Sequence, residues 1–182
     1  MRAGTFKTVV GDATKPEGLG TVPIIIPHVC NDLGLWGSGF VLAVTKAFGN
    51  KAEQSYLDWF DGHGVSLEGC KYSNEFGGFD LGEVQFVKIP DKTLVVANMV
   101  GQHNVRGLDP TGRPPIRYGA LAKAMKHVYV FATQSCAVLP QIHCPKFGSD
   151  LSGGDWKTVE QLILEFWVDN GINVTVYEFL QK

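Results

Sequence analysis

Two segments of the chain place small residues where an anion could be held. His28 to Phe40 reads HVCNDLGLWGSGF, and Pro145 to Trp156 reads PKFGSDLSGGDW. Each follows an apolar run that reads as a strand and leads into a helix-like stretch. Glycine lets backbone amides approach an anion closely, and a helix N-terminus adds unpaired N–H groups with partial positive charge. One such loop is also what an ordinary strand-to-helix turn requires, with Gly34, Gly37 and Gly39 supplying positive φ. Two in one chain, both after strands, are better explained by one ligand carrying two phosphates. Trp36 among the glycines could cover that ligand or plug the core. A third turn, VVGDAT around Asp12, follows the first strand, and there Asp12 either caps the turn or contacts the ligand. His28, ending a buried strand, is either a structural histidine or a proton shuttle near neutral pH.

Other nucleotide motifs fit poorly. No G-x-x-x-x-G-K-[ST] occurs, which removes P-loop hydrolysis. Gly37, Gly39 and Ala43 match a dinucleotide-binding Rossmann turn only loosely. That fold needs an acidic residue about twenty positions further on at a strand end. Tyr56 to Trp59 lies instead in a helix-like stretch, and there is no second domain for a hydride-transfer substrate.

The elements that must position these loops follow from periodicity. Phe6 to Val10 is a short strand. Val22 to Cys30 is a nearly continuous apolar run, hence a strand covered on both faces, starting after Pro23 and bending near Pro27. Phe40, Val41, Val44 and Phe48 recur at helical spacing, as do Tyr56, Trp59 and Phe60. Glu83 to Ile89 and Thr93 to Val100 form a hairpin around Asp91 and Lys92, so the sheet is mixed. A polar loop from Gly101 to Pro115 precedes a helix from Arg117 to Thr133 and a strand from Cys136 to Ile142. A helix from about Asp155 to Val168 and a strand from Asn173 to Phe179 end the chain. This order gives helical layers around one sheet, and ligands bind such sheets beyond the carboxyl ends of their strands.

The 182 residues are 45% apolar and 19% charged with a net charge of −2, as expected of one globular domain. Without a basic cluster, polymeric nucleic acid is not an expected partner. The four cysteines, Cys30, Cys70, Cys136 and Cys144, form no C-x-x-C pair, so neither zinc nor a redox dithiol is expected, and no metal or cofactor. Cys30, Cys136 and Cys144 lie in or beside apolar runs and are expected to be buried. No signal-peptide core or membrane span is visible, and a cytoplasmic location is expected.

In this order the motifs resemble the macrodomain family, in its branch that processes ADP-ribose-1″-phosphate. The likeness spans nearly the whole chain. It is carried by Gly11-Asp12, His28 to Gly39, LGEVQ from Leu81 to Gln85, PPIRY from Pro114 to Tyr118, Pro145 to Trp156, and VTVYE near the end. The resemblance implies a three-layer α/β/α fold that binds ADP-ribose. Asp12 and Ala13 would meet adenine, with Tyr177 nearby, and Asn31 the distal ribose. Trp36, Gly37, Ser38, Gly39 and Phe40 would line one side of the diphosphate. Gly148, Ser149, Asp150, Leu151, Ser152, Gly153 and Gly154 would line the other. His28, with Asn31, would be catalytic in removing the terminal phosphate or a related ADP-ribosyl substituent. The alternative is a reader that docks ADP-ribosylated macromolecules without turnover. A related group that frees acidic side chains of ADP-ribose uses a lysine after the hairpin and an aspartate in the second loop. Here those regions read Gly101, Gln102, His103 and Ser152, with Asp150 two positions away, so a lysine adduct does not fit.

Overall fold

β2, Ile24–Asn31, explains the layering. Side chains alternate faces along a strand. Ile24, Ile26 and Cys30 pack into one apolar cluster and Ile25 into another. The computed structural model describes residues 2–63 and 78–179; Cys70 lies outside them. The remaining elements are β1 (Phe6–Val10), α1 (Phe40–Phe48), α2 (Lys51–Phe60), β3 (Val84–Lys88), β4 (Leu94–Gln102), α3 (Tyr118–Gln134), β5 (Gln141–Pro145), α4 (Trp156–Ile163) and β6 (Val174–Glu178). The six-stranded sheet has the order β1-β6-β5-β2-β4-β3. All pairs are parallel except β3 with β4. Val41 and Val44 of α1 and Ala52 and Tyr56 of α2 cover one face. Leu121, Met125, Val128 and Phe131 of α3, with Val159 and Ile163 of α4, cover the other. This is a three-layer α/β/α arrangement around a mixed sheet. No helix among the described residues is long and apolar enough to cross a membrane.

Three expectations need correction. The strand placed at Cys136 to Ile142 begins only at Gln141 and runs to Pro145. Val138 and Leu139 are exposed, Cys136 is half-buried rather than buried, and Pro140 has no N–H for a ladder. Pro27 leaves the ladder of β2 with β4 unbroken. Pairing with β5 is confined to Ile24 and Ile25, while Pro27 stays in register with Ala97 of β4. The irregularity falls at Cys30/Asn31, where Gly101 is the extra residue of a bulge in β4. Finally, α4 ends in a π turn at Leu164–Val168.

The face covered by α2 also encloses a polar network. His28 Nε2 lies 2.7 Å from Asn98 Oδ1. Asn98 Nδ2 donates to Gln85 Oε1 and to the Ala52 carbonyl, and Gln85 Nε2 donates to the Ser55 carbonyl. An amide oxygen only accepts, so Nε2 of His28 carries the proton and Nδ1 faces the Cys30 thiol at 3.8 Å. Trp36 and Phe40 close over the ring. Burial pushes the His28 pKa down to about 4, against the partial opposition of the Asn98 bond. Burial likewise pushes the Cys30 thiol up.

Unfolded, His28 titrates near 6.5, and folded near 4, so the unfolded chain alone takes the proton in between. Its contribution to stability is complete above pH 6.5 and falls away as the pH drops toward 4. Urea unfolding at pH 7 and pH 5 should therefore differ by about 2 kcal/mol through His28. His28→Gln should remove that share of the slope. An unchanged slope in the variant would show that His28 is not linked to folding in this way.

Candidate functional site

Because β1, β6, β5, β2 and β4 run parallel, their carboxyl ends share one edge. The loops after β1, β2, β4 and β5 all emerge there.

Asn31 organises the loop after β2. Its Oδ1 accepts from the amides of Leu33 and Leu35 at 3.0 and 3.1 Å, and its Nδ2 donates to the Leu35 carbonyl at 2.6 Å. The Tyr56 hydroxyl donates to the Asn31 carbonyl at 2.6 Å from below, and burial pushes the Tyr56 pKa up. Gly34, at φ +70°, leaves no room for a side chain, since a Cβ there would lie 2.5 Å from Phe60. Beyond it the loop opens. A Cβ on Gly37 would meet nothing within 4 Å. Gly39 precedes α1 with φ 80°, and α1 has neither a side-chain cap nor an acidic first turn. Among the described residues, the amides of Gly37, Ser38, Gly39 and Phe40 find no acceptor. They are the donor set an anion requires.

The loop after β5 is closed on itself. The Gly154 amide donates to the Gly148 carbonyl at 2.9 Å, and a Cβ on Gly154 would lie 2.2 Å from that oxygen. Gly148 and Gly153 take positive φ against Ile116 and Pro114. Ser152 is buried, and its Oγ donates to Gln102 Oε1 at 2.6 Å. Asp155 caps α4 by accepting from the Thr158 hydroxyl at 2.8 Å and the Thr158 amide at 2.9 Å, which together hold its carboxyl below the usual range. The amides of Asp150, Leu151 and Ser152 have no acceptor among the described residues. The two loops touch across the edge, for a Cβ on Gly39 would stand 3.0 Å from Leu151 Cδ1.

At the far side of the sheet, Asp12 Oδ1 accepts from the amide and hydroxyl of Thr14 at 2.9 and 2.7 Å, shaping the turn after β1. Ala13 is buried beneath it. Tyr177 is buried too. Its hydroxyl accepts from the Glu17 amide at 3.0 Å and lies 2.9 Å from His143 Nδ1, and its ring lies under Gly11. Burial pushes His143 down to about 4 and pushes Tyr177 up.

The sequence-derived residues therefore divide. Asp12, Gly37, Ser38, Gly39, Phe40, Ser149, Asp150, Leu151, Gly153 and Gly154 reach the edge at least in part. His28 does not: it is 1% exposed, inside the polar network. Trp36 does not cover a ligand from outside either. It packs inward at 6% exposure, and its Nε1 donates to Thr45 Oγ1 at 2.9 Å. Asn31, Ser152, Gly148 and Tyr177 act on the loops from beneath.

The loop after β4 brings groups that glycine motifs do not signal. Asp32 Oδ2 lies 2.6 Å from His103 Nδ1, and Asp32 Oδ1 accepts from the Asn104 amide at 2.7 Å. Arg106, Asp109 and Arg113 line a cavity of about 470 Å³ with Ser149, Asp150 and Gly153. Thr111 bonds the Asp109 carboxylate through its hydroxyl and amide and holds it below the usual range. The available signal was a long polar segment placed directly after a strand and carrying charges of both signs.

No family model matches the chain, and no curated protein matches it. Among solved structures it is similar to a protein of unknown function from Bacteroides thetaiotaomicron, with 38% identity over 97% of this chain and 99% of that one, at a TM-score of 0.81. It is similar to DarTG of Thermosipho africanus in complex with ADP-ribose in fold alone, with 13% identity over 98% of this chain and 42% of that one, at a TM-score of 0.71. A macrodomain protein from Streptomyces coelicolor shares 36% identity over 96% of this chain and 99% of that one, at a TM-score of 0.73. By that last likeness, over nearly the full length of both chains, the protein belongs to the macrodomain family.

Proposed function

We propose that this macrodomain binds ADP-ribose and hydrolyses a substituent on its distal ribose, with ADP-ribose-1″-phosphate as the preferred substrate. The observation that carries the reading is the pair of loops that meet at Gly39 and Leu151, each presenting amides without acceptors among the described residues at the same edge. A diphosphate between them is held from both sides, and Asp12 stands two strands beyond β5 to receive adenine. The ADP-ribose complex of the Thermosipho africanus protein has the same fold. Asn31 serves by shaping the loop beneath the ribose. The enclosure of His28 favours the non-catalytic reader, whereas the Asp32–His103 pair favours turnover.

Calorimetry should give a dissociation constant for ADP-ribose on the order of micromolar, or about −8 kcal/mol. AMP, which cannot span both loops, should bind at least about tenfold more weakly. No heat with ADP-ribose, or equal affinity for AMP, would sink the proposal.

Glycine substitutions separate holding the ligand from holding the loop. Gly37→Val places its side chain in open space without positive φ, so the melting temperature should stay unchanged while ADP-ribose affinity drops at least about tenfold. Gly39→Val, at φ +80° and against Leu151, should lose stability as well. Undiminished binding by Gly37→Val would move the diphosphate away from this loop.

Asp12→Asn keeps an oxygen for Thr14 and removes the charge. It should weaken ADP-ribose by about 1–3 kcal/mol and reduce the preference for adenine over other bases. Intact affinity and base preference would leave Asp12 as a turn residue only.

A further inference from the structure

We propose that His103, oriented by Asp32, is the general base that activates water at the distal ribose of a bound ADP-ribosyl ester; the inference rests on the ADP-ribose reading above. Both oxygens of Asp32 are engaged, one by His103 Nδ1 at 2.6 Å and the other by the Asn104 amide at 2.7 Å. A carboxylate only accepts, so Nδ1 carries the proton of the neutral ring and Nε2 is left as an acceptor. Asp32 is largely covered and His103 about half exposed, at 17% and 49%, so the carboxylate that fixes the ring lies deeper than the ring it fixes. The His103 amide donates to the Pro115 carbonyl at 2.8 Å, and Asn104 takes the left-handed φ of 65° that turns the chain under the ring. Position in the site follows from strand order. From β1, which Asp12 follows, four steps through β6, β5 and β2 lead to β4, which His103 directly follows. At about 4.8 Å per step that is roughly 19 Å, comparable with an extended ADP-ribose. With adenine at Asp12 and the diphosphate between the loops after β5 and β2, the distal ribose falls at the ends of β2 and β4, where Asp32 and His103 stand.

The substrate class is an ester at C1″, to either a phosphate or a carboxylate. The water oxygen bonds to C1″ while the bond from C1″ to the leaving oxygen breaks, and its electron pair stays with the leaving phosphate or carboxylate. The water proton passes to His103 Nε2 and from there to solvent. Asp32 holds the ring in the tautomer that can accept it and is a positioning residue.

The test uses the full chain with two substrates, ADP-ribose-1″-phosphate and a peptide carrying an ADP-ribosylated glutamate, and reads both turnover and calorimetric affinity for ADP-ribose. His103→Gln should lower kcat on the active substrate by about 100-fold or more, with KM and ADP-ribose affinity within about twofold. Asp32→Asn, which can present an N–H to Nδ1 and impose the wrong tautomer, should lower kcat with KM intact. Added imidazole should restore turnover to His103→Ala. Wild-type kcat in His103→Gln, a matching loss of ADP-ribose affinity, or no turnover of either ester by the wild type while ADP-ribose still binds would each overturn the inference. A wild-type protein that fails to bind ADP-ribose would overturn the reading beneath it.

Discussion

The parallel pairing of β2 with β4 governs both the interior and the edge of this protein. Along Ile24–Asn31 it sets which side chains face α1 and α2 and which face α3 and α4. A one-residue slip would exchange the two faces, bringing His28 and Asn98 out of their shared network and opposite apolar helices. The same ladder ends in a bulge at Gly101, so Asn31 pairs with Gln102. From that register Gln102 reaches Ser152 and ties the β4 end to the second glycine loop. Asp32 and His103, one residue further along each strand, then meet at bonding distance. Core register and site geometry are thus one constraint.

Much of the fold was legible because strong periodicity and burial agreed. β1, α1, α2 and the β3–β4 hairpin occur where alternating or helical apolar spacing places them. β5 was misplaced because an apolar run records hydrophobicity and not partners. Val138 and Leu139 belong to that run but have no neighbouring strand, whereas His143 to Pro145, less apolar as a stretch, pair along β6. Of the two strands that flank β5, β6 follows only after the intervening helix and β2 lies near the start of the chain, and no local pattern announces either pairing.

The site was legible as a set of loops but not as roles within them. Glycines that look alike in sequence serve different ends. Gly34 and Gly154 are required by the side chain or carbonyl packed against them, while Gly37 faces open space. Only the folded chain separates the glycine that shapes a loop from the one that leaves room for a ligand. His28 had a clearer signal. It shares the parity of Ile24, Ile26 and Cys30, and that alternation turns it toward the core rather than along the strand axis to the edge.

His28 and His103 illustrate how placement decides what a residue type can do. Each meets an oxygen acceptor at close range, 2.7 Å to Asn98 and 2.6 Å to Asp32. His28 pairs with a neutral amide in a dry layer, where a charged ring is disfavoured and both nitrogens are already engaged. His103 pairs with a carboxylate at the carboxyl edge of the sheet, where one nitrogen is fixed and about half of the side chain is exposed. The first arrangement stabilises one packing of β2, β4 and α2. The second leaves a proton acceptor free to move protons without disturbing that packing, because the ladder of β2 with β4 ends at the bulge at Gly101 before His103, and the left-handed turn at Asn104 directly follows it.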